Sequence, residues 1–162
     1  MIFAVEHRAG PDGRDWPTPR FLQMRRLPGA EPLAGTWQPV IGHIEPGERA
    51  IDAAWRELSE EAGLSRGDAA LVGLWSLEGV HPYFLARADA IVMPPRFAVR
   101  VAPAWSPTLT PGPAQEHDAF RWVWPTDVGE AFLWPGQCHA CIEIETLILP
   151  GGPAASALAL HP

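Results

Sequence analysis

Apolar and polar positions alternate from the start of the chain. Ile2–His7 reads as one strand and Arg20–Arg26 (RFLQMRR) as another, and the stretch between, Gly10–Pro19, holds the glycines and prolines that turn a chain. Pro28–Gly35 is a further loop, leading into a short extended segment at Thr36–Ile41. The pattern then changes period. From Arg49 to Ala62 the apolar residues recur at helical spacing, with Pro46-Gly47 before and Gly63 after as start and stop signals. Strand-like runs follow at Leu71–Leu77, Tyr83–Arg87 and Phe97–Ala102, and Pro103–Gln115, with four prolines, reads as an extended loop. Phe120–Trp124 predicts a last strand, Asp127–Phe132 a short helix and Gln137–Leu149 a longer one. The expectation is a single α/β or α+β domain over residues 1–150, with the Ala-, Gly- and Pro-rich segment 151–162 as a flexible C-terminal tail.

Composition narrows the class. Of 162 residues, 47% are hydrophobic and 19% charged, which describes a soluble globular chain with ample core. Twelve Lys and Arg against 19 Asp and Glu leave a formal charge of −7, so a phosphate-tracking binder of nucleic acid polymers, which needs a basic stripe, is not expected. No apolar run approaches the roughly 20 residues that cross a bilayer, and no membrane partner is expected. Two cysteines build no disulfide framework, and a cytoplasmic location is the default. Eight tryptophans are mainly core by expectation, with Trp37 and Trp134 the candidates for stacking on a ring.

The charge is concentrated. Between Glu45 and Glu61 lie six acids and two arginines, net −4. On a helical wheel Ile51, Ala54, Trp55, Leu58 and Ala62 form the core-facing stripe, while Glu57, Glu60 and Glu61 share a second arc on the far side. Like charges at i, i+3 and i+4 destabilise a helix by a few tenths of a kcal/mol per pair. Arg56 reaches Glu60 at i+4, yet one guanidinium does not balance three carboxylates. A hard divalent cation with oxygen ligands does, and Mg²⁺ binds through a few carboxylates together with substrate phosphates.

The spacing Gly42, five residues, Glu48, seven residues, Arg56-Glu57-Leu58-Ser59-Glu60-Glu61-Ala62-Gly63-Leu64 matches every position of the Nudix box. Seven fixed residues at ordinary usage make a chance match about 10⁻⁸ per window. The chain resembles the Nudix hydrolase family, and the resemblance implies an α/β/α sandwich around a mixed sheet that hydrolyses a nucleoside diphosphate linked to another group, with Mg²⁺ or Mn²⁺ on the box helix. Carried onto this sequence, it implies Glu57 and Glu61 as main metal ligands, Glu60 as a further ligand, the Gly42 carbonyl completing the site, and Glu48 with Arg56 as a structural ion pair.

Outside the box, RFLQMRR, Trp37-Gln38 and Glu116-His117 with Trp122 resemble the dihydroneopterin triphosphate diphosphatase group of nucleoside triphosphate pyrophosphohydrolases within that family. By that likeness Glu116 is a metal-binding carboxylate or base, so that Glu57, Glu60, Glu61 and Glu116 form the catalytic set, with either Glu60 or Glu116 as base. Arg25, Trp37 and Gln38 are the substrate-side candidates. The implied substrate is a small nucleoside or pterin triphosphate; ADP-ribose, a dinucleoside polyphosphate, or a catalytically idle nucleotide-binding role are the alternatives. Members are often homodimers, though no stretch here marks an interface. Cys138-x-x-Cys141, without a second pair, is read as buried thiols rather than a zinc or redox site.

Overall fold

In a computed structural model of the chain, residues 1–10, 12–31, 33–109 and 115–161 are described. Strand β1 (Ile2–Ala9) runs antiparallel to the long β2 (Asp15–Arg26), whose far end also pairs with the short β3 (Trp37–Gln38). Helix α1 (Ala50–Ala62) follows, then β4 (Leu71–Ser76), the separate hairpin β5–β6 (Tyr83–Leu85, Ala90–Val92), β7 (Phe97–Val101) and β8 (His117–Val123). The chain continues through α2 (Val128–Ala131), α3 (Pro135–Glu143) with a π-turn at Ile144–Ile148, α4 (Pro153–Leu158) and β9 (Ala159–Leu160).

The main sheet has the order β3-β2-β1-β7-β4-β9, with β8 on the other side of β2. The β1–β7 pair is parallel and its neighbours are antiparallel, so the sheet is mixed. Alternation along β2 sorts the core into two layers. Leu22 and Met24 join Ile2, Ala4, Leu74, Val99 and Val101 beneath Trp55, Leu58 and Ala62 of α1. Phe21 joins Phe3, Val5, Ala98 and Val123 beneath Ala140 and Cys141 of α3 and Ile144 and Ile148 of the π-turn. The result is the expected α/β/α sandwich. Each fully buried large aliphatic side chain contributes about 1.5–3 kcal/mol to holding it.

Several elements differ from the expectation, each for a local reason. β2 begins at Asp15 and runs through Pro17 and Pro19, which pair with His7 and Val5. The prolines are tolerated because β8 joins β2 only from Phe21 onward, so the opposite edge needs no amide donor there. The run at Tyr83 turns back at Asp89, in the left-handed region with φ 47°, and gains the partner Ala90–Val92 that was not foreseen. Of the expected loop 103–115, residues 110–114 lie outside the described residues. Residues 151–161 are folded where a loose tail was expected: α4 buries Ala155, and β9 pairs Leu160 with Leu74 and Ala159 with Trp75, covering the edge of β4. Cys141 is buried, which pushes its thiol up, and both cysteines are free. No helix among the described residues is long and apolar enough to cross a membrane.

Candidate active site on the acidic helix

Helix α1 is held at both ends. Arg49 caps its start with extended backbone (φ −80°, ψ 146°), and Gly63 ends it at φ 68°, with Gly63 and Leu64 returning N–H bonds to Ser59 and Leu58. Gly63 is required twice, because its positive φ suits glycine and a Cβ there would stand 3.0 Å from the Thr108 side chain.

The segment before the helix folds back onto it. Arg56 is the organising residue: its Nε and Nη2 donate to the two carboxylate oxygens of Glu48, each at 3.1 Å, and Nη2 also donates to the His43 carbonyl at 2.8 Å. Glu48 in turn accepts the Glu45 amide at 3.0 Å. The Arg56 bonds hold Glu48 below the ordinary carboxylate range and, with Glu57, raise the guanidinium above its own. The expected Glu48–Arg56 pair therefore ties the loop to the helix. Arg56 Nη1 also takes Glu57 at 2.6 Å and reaches Glu60 at 3.5 Å. Gly42 lies directly against Glu57, and a Cβ at position 42 would overlap the carboxyl group.

The three box glutamates do not share one environment. Glu60 is 61% exposed at its side chain, whereas Glu57 is at 15% and Glu61 at 6%. The wheel placed Glu61 on the open arc; the structure instead turns it inward, beside Ala62 and toward β8, and Ala53 rather than Ala54 is buried. Glu61 Oε2 is buried without a hydrogen-bond partner, with His117 Nδ1 3.8 Å away. Burial, then the charges of Glu57 and Glu116, push its carboxyl up to about 8; Arg26 and the Ile41 backbone act the other way. Burial and Arg26 lower His117, so the imidazole is neutral and this contact is not an ion pair.

Glu116 stands just before β8, where Arg26 Nη1 holds it at 3.0 Å. A bulge in the β2–β8 ladder at Arg25/Arg26 separates two adjacent arginines: Arg26 meets Glu116, and Arg25 makes a two-pronged pair with Asp118 at 2.7 and 3.0 Å. Thus Gly42 lies against Glu57, and the charges of Glu57 and of the half-exposed Glu116 act on the buried Glu61, while Glu60 faces solvent. The substrate-side candidates sit apart, at the outer end of β2 and β3. Arg25 lies 5.7 Å from the Trp37 ring centroid, and Gln38 is buried, donating to Thr36 Oγ1 at 2.8 Å. Arg26 and His117 lay inside segments singled out in the sequence, but nothing in the alternation assigned them a role.

Among the described residues no three His, Cys, Asp or Glu side chains converge closely enough to hold an ion as they stand; Glu57 and Glu116 are drawn instead onto Arg56 and Arg26. The donor set nonetheless suits a hard cation. It is all oxygen, includes one buried carboxylate oxygen without a partner, and lies where glycine leaves the Gly42 backbone accessible beside Glu57.

Comparison with known proteins agrees with the geometry. An octanoyltransferase of Myxococcus xanthus is 38% identical over 113 residues, 66% of this chain but 27% of that protein; the chain spans about a quarter of the length of the first curated relatives it matches. Among solved structures, an Ap4A hydrolase of C. elegans aligns with a TM-score of 0.63 at 18% identity, covering 93% of this chain and 99% of that one. The dihydroneopterin triphosphate pyrophosphohydrolase of E. coli aligns with a TM-score of 0.56 at 19% identity, covering 91% and 93%. Both share the α/β/α sandwich. With the NUDIX domain model matching residues 11–139, on top of the box and the helix that carries it, the chain belongs to the NUDIX domain family.

Proposed function

We propose that the protein is a Mg²⁺-dependent pyrophosphohydrolase, with Mn²⁺ as a substitute ion, that cleaves a diphosphate linkage in a nucleoside triphosphate-like or pterin triphosphate substrate. The observation that carries this reading is Glu61: a carboxylate buried, without a partner on one oxygen, and crowded by Glu57 and Glu116. A fold gains nothing from that arrangement by itself, whereas a cation joining the carboxylates removes the repulsion. Glu57, Glu61, Glu116 and the Gly42 carbonyl would hold the ions, with Glu60 a ligand from the exposed side. Bound divalent ions supply charge stabilisation at phosphate oxygens and a more acidic water.

The remaining work belongs to the chain. Glu48 and Arg56 fix the loop so that the Gly42 backbone faces Glu57. His117 and the core around Leu58 keep water from one side of Glu61. Glu116 or Glu60 takes the proton of the attacking water, and Arg25, Trp37 and Gln38 lie on the side where the organic part of the substrate rests. The test is a panel of nucleoside and pterin triphosphates with Mg²⁺, scored for phosphate and pyrophosphate release. Turnover of at least one of them is expected, lost in Glu57→Gln and Glu61→Gln variants that remain folded. Full activity in those variants would overturn the metal assignment.

A further inference from the structure

On the sheet face opposite α1, a chain of side chains leads from the core to an open cleft. Gln23 is 0% exposed, a polar side chain in the middle of β2. Its Nε2 donates to the Ala131 carbonyl at 2.9 Å, and its Oε1 accepts Arg121 Nε at 2.8 Å across the β2–β8 pair. Arg121 is thereby fixed with its guanidinium 4.5 Å from the Trp37 ring centroid. Among the described residues its terminal nitrogens find no acceptor. The same arginine lines a cleft of about 400 Å³ with Asp127, Glu130 and Ala131, room enough for a two-ring heterocycle. Gln23 is thus satisfied at both ends, tied to α2 through the Ala131 carbonyl and holding Arg121 through its oxygen, and a fully satisfied buried polar link of this kind fixes the orientation of the arginine.

A guanidinium is a fork of donors only, and against a flat ring it matches two acceptors side by side. Guanine presents that pair as a carbonyl oxygen next to a ring nitrogen, and pterin has the same arrangement. Adenine puts an amino group there, donor against donor. Carboxylates are acceptors only, so Asp127 and Glu130 suit the ring N–H and amino donors that guanine and pterin share. From Arg121 to Glu116 is five residues along β8, roughly 17 Å at strand rise, a distance for sugar and phosphates to cover past Trp37 and Arg25.

We propose that Arg121, aimed by Gln23, selects substrates whose ring carries a carbonyl oxygen beside a ring-nitrogen acceptor, a 6-oxopurine or a pterin, over adenine-type substrates. This rests on the hydrolase reading for the place of the phosphates. Arg121 is assigned to touch the ring; Gln23 acts through it and is a positioning residue.

The test compares kcat/KM for GTP and ATP and, separately, the binding of GMP and AMP followed by tryptophan fluorescence in EDTA. The wild type is expected to favour the guanine nucleotide by about 10- to 100-fold. Arg121→Leu brings the ratio close to one through KM. Arg121→Lys does the same, since an ammonium keeps the charge but loses the fork. Gln23→Leu loses most of the preference, and Gln23→Glu, which still accepts from Nε but gives up the donor to the Ala131 carbonyl, keeps more of it. Equal use of both nucleotides by the wild type overturns the proposal, as does an equal loss for GTP and ATP in Arg121→Leu or a Gln23→Glu no better than Gln23→Leu. If no triphosphate is cut yet GMP binds better than AMP in an Arg121-dependent way, the hydrolase reading fails and this one stands. Cleavage without discrimination fails this one alone.

Discussion

Replacing Glu61 with Gln should remove activity and at the same time stabilise the protein at high pH. The side chain is buried and its carboxyl titrates near 8 in place of 4.5. Below about pH 4.5 the group is protonated in both folded and unfolded chains and has no effect. Between 4.5 and 8 the unfolded chain releases the proton while the folded chain keeps it, so stability falls as pH rises; above 8 the deficit is constant. The gap between 4.5 and about 8, at 1.36 kcal/mol per pH unit, amounts to about 5 kcal/mol. Glutamine has the same shape, carries no proton equilibrium, and can still accept from the Ile41 backbone. Urea unfolding in EDTA should give matching midpoints for wild type and Glu61→Gln near pH 4.5. At pH 9 the variant's midpoint should lie about 2.5 M higher, for a urea slope of about 2 kcal/mol/M. Mg²⁺ should then raise the wild-type midpoint at pH 9 more than the variant's, because the variant lacks one of the charged ligands proposed for the ion. A midpoint difference independent of pH, or a wild type more stable at pH 9 without Mg²⁺, would refute the argument.

Other substitutions probe the surrounding parts. Gly42→Ala forces a methyl group into the Glu57 carboxyl; kcat should fall about 100-fold while the thermal midpoint drops by only a few degrees, measured by steady-state kinetics and calorimetry. Arg56→Lys keeps the charge but loses the fork that joins Glu48, Glu57 and the His43 carbonyl; a lower urea midpoint than wild type is expected in equilibrium titration. Leu58→Ala, in the core layer under α1, should cost about 2–5 kcal/mol by the same assay. Deleting residues 151–162 uncovers the β4 edge at Leu74 and Trp75; a lower thermal midpoint and concentration-dependent self-association by light scattering are expected.

Legibility in the sequence followed how local the cause was. Helix α1 could be read to within a residue because its signals are adjacent to it: Pro46-Gly47 before, a 3.6-residue apolar period within, and Gly63 in the left-handed conformation that glycine enters without a Cβ penalty. The box spacing likewise placed Glu48, Arg56, Glu57 and Gly42 together. What escaped depended on partners distant in the chain. Pro17 and Pro19 were read as turn residues, and only the late start of β8 alongside β2 makes them acceptable in a strand. Ala159–Leu160 is a strand only because β4 has a free edge to offer it. Glu61 was put on the outer arc since a wheel cannot know that β8 and His117 cover that side of the helix. The link from Gln23 to Arg121 is a cross-strand register, which no spacing along either strand announces.

The grip of Arg56 on Glu57 and Glu60 has a consequence for the helix in the absence of any ion. A guanidinium already acts as a built-in counterion, so the acidic helix does not depend on a supply of magnesium to stay wound. On the proposed reading, ion loading would exchange one positive partner for another and would be reversed by chelator without refolding. The affinity for an ion would then depend on how readily Arg56 releases Glu57 and Arg26 releases Glu116.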